Sequence, residues 1–156
     1  MNQYSELLNY IKAIAEKDPF VNTITQGEIS DSFLNKADIY PMLHIGVDAG
    51  SFTNGSMIVF DVVLTCLQQR DTNKEIVNDK FFLNDNEVDN HNETLSSLNR
   101  IWAIMYDDLY HRNIRSSENP TLQKITDEKV DRLDGWQLTF NVELPNKTIN
   151  LCEGEI

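Results

Sequence analysis

MIVFDVVLTCLQQ, residues 57–69, carries the clearest structural signal in the chain. Ile58, Phe60, Val62, Leu64 and Cys66 recur at every second position, which places them on one face of a β-strand. The intervening positions mix Val59, Asp61, Val63 and Thr65, so the second face is less apolar. Upstream, IYPMLHIGV at 39–47 reads as a partner strand. Pro41 has no N–H to give to a ladder, so that strand is predicted to begin at or near a sheet edge. Between the two lies DAGSFTNGS, whose Gly50 and Asn54-Gly55 signal a turn. A long hairpin from about Ile39 to Gln69 is therefore predicted.

The same alternation returns near the end of the chain. Trp136, Leu138, Phe140, Val142 and Leu144 interleave with Gln137, Thr139, Asn141 and Glu143, a strand with one buried and one wet face. Leu122–Val130 is predicted to pair with it, with Asp134-Gly135 as the turn and Pro145 as the end. Helical spacing appears twice. Tyr4, Leu7, Leu8, Ile11 and Ile14 form one stripe that should stop near Lys17-Asp18-Pro19, because the residue before proline resists the α region. Leu95, Leu98, Trp102, Met105 and Leu109 form the second, predicted to run from about Glu93 to Asn113 with Asn92 or His91 as its cap. Val21–Ile29 reads as a short β-like piece, and Ser116–Pro120 as a break. The predicted class is α+β: an antiparallel sheet of two hairpins with two helices on one face. The expected organisation is a single domain over 1–156, with a long polar loop at about 70–92 and a short C-terminal tail from about 146.

Composition narrows the function. The chain has 156 residues, with 13 basic and 25 acidic side chains and a formal net charge of −12. Such a surface argues against phosphate-backbone binding, which needs clustered Lys and Arg. No apolar run approaches the ~18–20 residues of a membrane helix, and the N-terminus has no h-region, so neither membrane span nor signal peptide is expected. Cys66 and Cys152 make no disulfide framework and no zinc spacing, in keeping with synthesis in a reducing cytoplasm. Seventeen asparagines, many between Asn73 and Asn99, mark a loop-rich surface.

The chemical constellations are weak. Asp85, Glu87 and Asp89 alternate as the first ligands of a calcium loop would, but Asn90 stands where the turn glycine belongs and Ser96 where a bidentate glutamate is needed. A solvated acidic stretch is the simpler reading. Asp107 and His111 lie one helical turn apart and could share a metal or form an acid–base pair. No second histidine motif accompanies them, so a surface i,i+4 contact is expected. No nucleophile elbow, glycine-rich nucleotide cradle or P-loop is present, and Trp102 and Trp136 fall on apolar stripes. No catalytic residue, cofactor or metal is therefore predicted. Phe81, Phe82 and Leu83 stand out inside the polar 70–92 stretch; they are predicted to bury against a neighbouring subunit, the alternative being that the Phe pair folds back onto its own sheet.

The order of elements resembles the tail-terminator or tail-completion proteins of bacteriophages, through the N-terminal amphipathic helix, IYPMLHIGV, MIVFDVVLTCLQQ, LSSLNRIWAIMYDDLYHRN and DGWQLTFNVELP. The asparagine-rich style is also similar to proteins of crAss-like phages of gut bacteria. The resemblance implies a structural virion protein at the neck or tail, a head–tail connector assembled as a homo-oligomeric ring, hexamer or dodecamer. It implies portal, adaptor and tail proteins as partners, with DNA passing nearby without specific binding. An acidic wall beside a DNA channel would repel phosphates and let the genome slide. Two other readings stand beside it: a non-ring adaptor or host-takeover protein binding one partner, and a small metal-dependent enzyme built on Asp107, His111 and the acidic stretch.

Overall fold

The computed structural model describes residues 4–27, 40–53, 55–70, 86–128 and 133–145. Helix α1, Tyr4–Ala15, buries Leu7, Ile11, Ile14 and Ala15, the stripe that its spacing predicts. The chain then turns where the proline requires it. Backbone bonds from Lys17 to Ile14 (3.1 Å) and from Asp18 to Ala15 (3.0 Å) tighten the last turn. Asp18 is buried and becomes a clamp. Its carboxylate accepts from the Phe20 N–H at 3.1 Å, Ser97 Oγ at 3.0 Å and Arg100 Nε at 2.7 Å. Burial pushes this carboxyl up, but the bonds from Arg100, Ser97 and Phe20 outweigh it and hold it below the ordinary carboxylate range.

β1 (Thr23–Gln26) runs parallel to β2 (Met42–Thr53), and β2 runs antiparallel to β3 (Met57–Gln69). β3 pairs along its whole length with β6 (Leu133–Pro145), from Met57 opposite Pro145 to Gln69 opposite Leu133. The far side of β6 is shared by two strands in line. β5 (Thr121–Glu128) pairs with its first half, and β4 (Arg115–Ser116) pairs with its second. Helix α2, Glu87–His111, lies with α1 on one face of this six-stranded, mostly antiparallel sheet. The α+β class predicted from the sequence is the observed one.

The core is where the alternation places it. Phe60, Val62, Leu64 and Cys66 of β3 meet Leu138, Phe140, Val142 and Leu144 of β6, and Ile101, Met105 and Leu109 of α2 close over them. Trp102 packs its ring 4.8 Å from that of Phe140. Each such side chain removed from water contributes roughly 1.5–3 kcal/mol. Burial pushes the Cys66 thiol up to about 12, so it serves as a small hydrophobe. The other sheet face carries a smaller cluster of Met42, Leu67 and Leu133, beside a polar row that crosses five strands: Thr25, His44, Thr65, Gln137 and Gln123.

Four boundaries differ from the sequence-based expectation. The end of the predicted polar loop at 70–92 is helical, because α2 begins at Glu87 and not Glu93, with Asn86 at its cap position; 71–85 lie outside the described residues. DAGSFTNGS is not all turn. β2 continues through Thr53, with a bulge between Val47 and Ala49, and the reversal is left to the residues around Gly55 (φ +78°). Of the β-like piece at 21–29, Thr23–Gln26 forms β1, which pairs in parallel with β2 where an antiparallel sheet is expected, and 28–29 lie outside the described residues. Asp134-Gly135 is no turn but part of β6.

Gly135 shows why. A Cβ there would lie against backbone atoms of Cys66 and Leu67, the Cys66 carbonyl oxygen well inside contact distance. The close approach of β3 and β6 requires glycine at this point. Gly135→Ala is expected to destabilise the fold by about 1–3 kcal/mol, the usual range for overpacking, read from urea midpoints. An unchanged midpoint would mean that the strands can part there at no cost.

Candidate functional site

The acidic and histidine constellations do not converge. Asp85 lies outside the described residues, as do Phe81, Phe82, Leu83 and Cys152. Glu87 and Asp89 sit in the first turn of α2, where acidic side chains suit the positive end of the helix. A helical turn cannot wrap a cation as a loop does, and Asp89 is exposed. Asp107 and His111 face solvent near the other end of α2. His111 Nδ1 donates to the Asp107 carbonyl oxygen at 2.8 Å and stands 3.6 Å from its carboxylate. Among the described residues no three metal-ligating side chains gather. Asp107→Ala and His111→Ala are each expected to shift stability by well under ~1 kcal/mol, as for exposed pairs, in urea melts.

The other two histidines are structural. His91 Nε2 donates to the Ile125 carbonyl at 2.7 Å, and its own carbonyl accepts Trp136 Nε1 at 2.9 Å, tying α2 to β5 and β6. His44 is buried in the polar row. Its Nε2 lies 2.8 Å from the Gly27 carbonyl, which only accepts, so the proton sits on Nε2. Nδ1 then accepts from Thr25 Oγ1 at 2.8 Å. Burial pulls the His44 pKa below 6.5, against the Gly27 carbonyl and Asp48, which raise it. The unfolded chain therefore binds more protons between the folded and unfolded values, and His44's contribution is complete above about pH 6.5 and lost as pH falls below it. Urea midpoints are expected to fall from about pH 7.5 to about pH 5.5, and His44→Gln should flatten that slope.

Charge is buried in one further place, which the sequence reading missed. Arg70, at the end of β3, donates to both Asp134 oxygens, Nε at 2.9 Å and Nη2 at 2.8 Å, and its Nη2 stands 3.3 Å from Glu87. Asn90 Nδ2 bonds the Gln69 carbonyl at 3.2 Å and approaches Asp134 at 3.4 Å. A signal for it exists: Asp134 has the same parity as Trp136 and Leu138, so a carboxylate on the core face demanded a buried cation. Every group here finds its partner within the fold. It is a fastening.

Among the described residues two outward-facing features stand apart, an apolar groove and open strand edge. A groove of about 330 Å³ runs between Leu95, Asn99 and Trp102 of α2, Pro120, and Leu122 and Leu138 of the sheet. Leu122 is 48% exposed, and it shares the helix-side face with Leu138. β5 forms one outer edge of the sheet, and among the described residues no strand pairs beyond it. On the opposite side β1 covers only Met42–Ile45 of β2, so 46–53 is likewise unpaired there among the described residues. Phe52, one residue before the end of that arm, is 72% exposed. An open edge of this kind can accept a further strand.

No family model matches this chain, and no curated protein matches it. Among the described residues no helix is long and apolar enough to cross a membrane.

Proposed function

We propose that this protein is a structural subunit of a bacteriophage neck or tail, a head–tail connector or tail-completion protein that assembles into a ring around the DNA channel. One observation supports the reading: a sheet with, among the described residues, an unpaired strand edge on each side, backed by a two-helix core. A ring subunit needs two different contact surfaces that meet in a repeated, head-to-tail fashion. The net charge of −12 supports it further, since a wall of that sign lets DNA pass without sticking. The helix–hairpin–helix–hairpin order is the one on which the resemblance to tail-terminator proteins rests. Portal or adaptor rings on one side and tail proteins on the other are the partners this position requires.

Negative-stain images of the purified protein, with peptide mass fingerprinting of purified virions, test the reading. Rings in the images and the protein in the particle are expected. A strictly monomeric protein absent from virions would overturn it. The apolar groove favours a second reading, an adaptor that seats one segment of one partner. Native mass spectrometry separates the two, because an adaptor adds one partner mass where a ring subunit adds copies of itself.

A further inference from the structure

We infer that α2 is two units in one helix: its first turns, 87–96, open together from the sheet as a clasp while 97–111 stay seated. Opening widens the groove beside Leu95 and brings water to the Arg70–Asp134 pair. This property belongs to the single subunit and is independent of whether copies assemble.

The side chains that α2 buries divide at one point. Ahead of Ser97 they are Asn90, His91 and Thr94, and behind it they are Leu98, Ile101, Met105 and Leu109. The apolar side chains of 87–96 are Val88, 54% exposed, and Leu95, half-buried and outside the main core cluster. The seated half is therefore held by apolar burial. The clasp is held by polar contacts. Asn90 Nδ2 bonds the Gln69 carbonyl at 3.2 Å, His91 Nε2 the Ile125 carbonyl at 2.7 Å, and Trp136 Nε1 the His91 carbonyl at 2.9 Å, with Glu87 3.3 Å from Arg70. On opening, such bonds exchange for bonds to water, so each contributes less than a buried aliphatic side chain. The Arg70–Asp134 pair is desolvated while the clasp is shut, and water regained on opening offsets part of what is lost.

The helix is also weakest here. Thr94 Oγ1 donates to the Asn90 carbonyl at 2.7 Å and Ser96 Oγ to the Asn92 carbonyl at 2.8 Å, back-bonds that loosen and bend a helix. Immediately beyond them, Ser97 Oγ donates to Asp18 at 3.0 Å and Arg100 Nε at 2.7 Å, which fixes the seated half to the end of α1. The hinge falls at Ser96–Ser97. Leu95 and Ser96 of the groove move with the clasp, whereas Leu98, Asn99 and Trp102 stay, so the width of the groove follows its state. Segments with few buried apolar contacts are the ones from which local openings are drawn.

Native-state hydrogen exchange on the full chain, in rising but sub-denaturing urea, tests the clasp. Amides 91–96 are expected to share one opening, at least a hundredfold more frequent than that of 101–109. Its urea dependence should be small, because little surface is exposed, whereas 101–109 should follow the full unfolding slope. Ile101→Val separates the halves, since Ile101 stays buried when the clasp opens. Amides 101–109 should then exchange about fivefold faster, with 91–96 within twofold of the unmodified chain. Protection that rises evenly from Asn90 to His111, as at a fraying end, would overturn the clasp. So would exchange of 91–96 only together with 101–109, or an equal acceleration of both by Ile101→Val.

Discussion

Arg70→Ala is expected to cost about 3–5 kcal/mol of folding stability, because it strands a carboxylate in the protein interior. Asp134 is fully buried and Arg70 is 6% exposed, and their bidentate bonds of 2.9 and 2.8 Å leave water no access. Removing the cation takes away the bidentate partner of the Asp134 carboxylate, and Asn90, at 3.4 Å, brings no positive charge in its place. The size of the loss reflects that stranded charge more than the worth of the pair. Replacing both partners, with Arg70→Met and Asp134→Leu, should therefore recover most of it. Urea melts at neutral pH decide the matter. If the double replacement is no better than Arg70→Ala, the pair is net stabilising and the reasoning is wrong.

Phe140→Ala is expected to lose a comparable amount, roughly 3–5 kcal/mol, through a different cause. Phe140 is 2% exposed at the centre of β6, opposite Val62 of β3 and under the ring of Trp102. Its truncation leaves a cavity between two long paired strands that cannot collapse without breaking their ladder. The loss should appear as a lower urea midpoint at unchanged slope, because no new surface is exposed on unfolding. A change under ~1 kcal/mol would mean that α2 settles into the gap.

The parts of the fold that were legible in the sequence are those whose burial is one-sided. β3 and β6 alternate because one face meets the helices, and α1 repeats every three to four residues for the same reason. The start of α2 was hidden because EVDNHN at 87–92 has no apolar stripe. Those turns are held by side-chain bonds to distant backbone, Asn90 to Gln69 and His91 to Ile125, which no periodicity reports. Asp134-Gly135 has turn composition, yet each residue serves a tertiary need: the carboxylate pairs with Arg70, and the glycine admits β3. Here the tertiary demand overrides local turn propensity. The parallel pairing of β1 with β2 joins segments that share no local signal. Of the candidate surface, the predicted strand 122–130 includes Leu122, but its groove depends on where α2 crosses β5. Phe52 was hidden inside a segment read as a turn.

The Arg70 fastening also isolates a length of chain. Arg70 binds Glu87, and Asn90 binds the Gln69 carbonyl, so the two ends of the intervening segment 71–85 are anchored to one another by the folded body itself. The exit from β3 and the entry into α2 are therefore a single joint, and a change at Arg70 or Asn90 loosens both together.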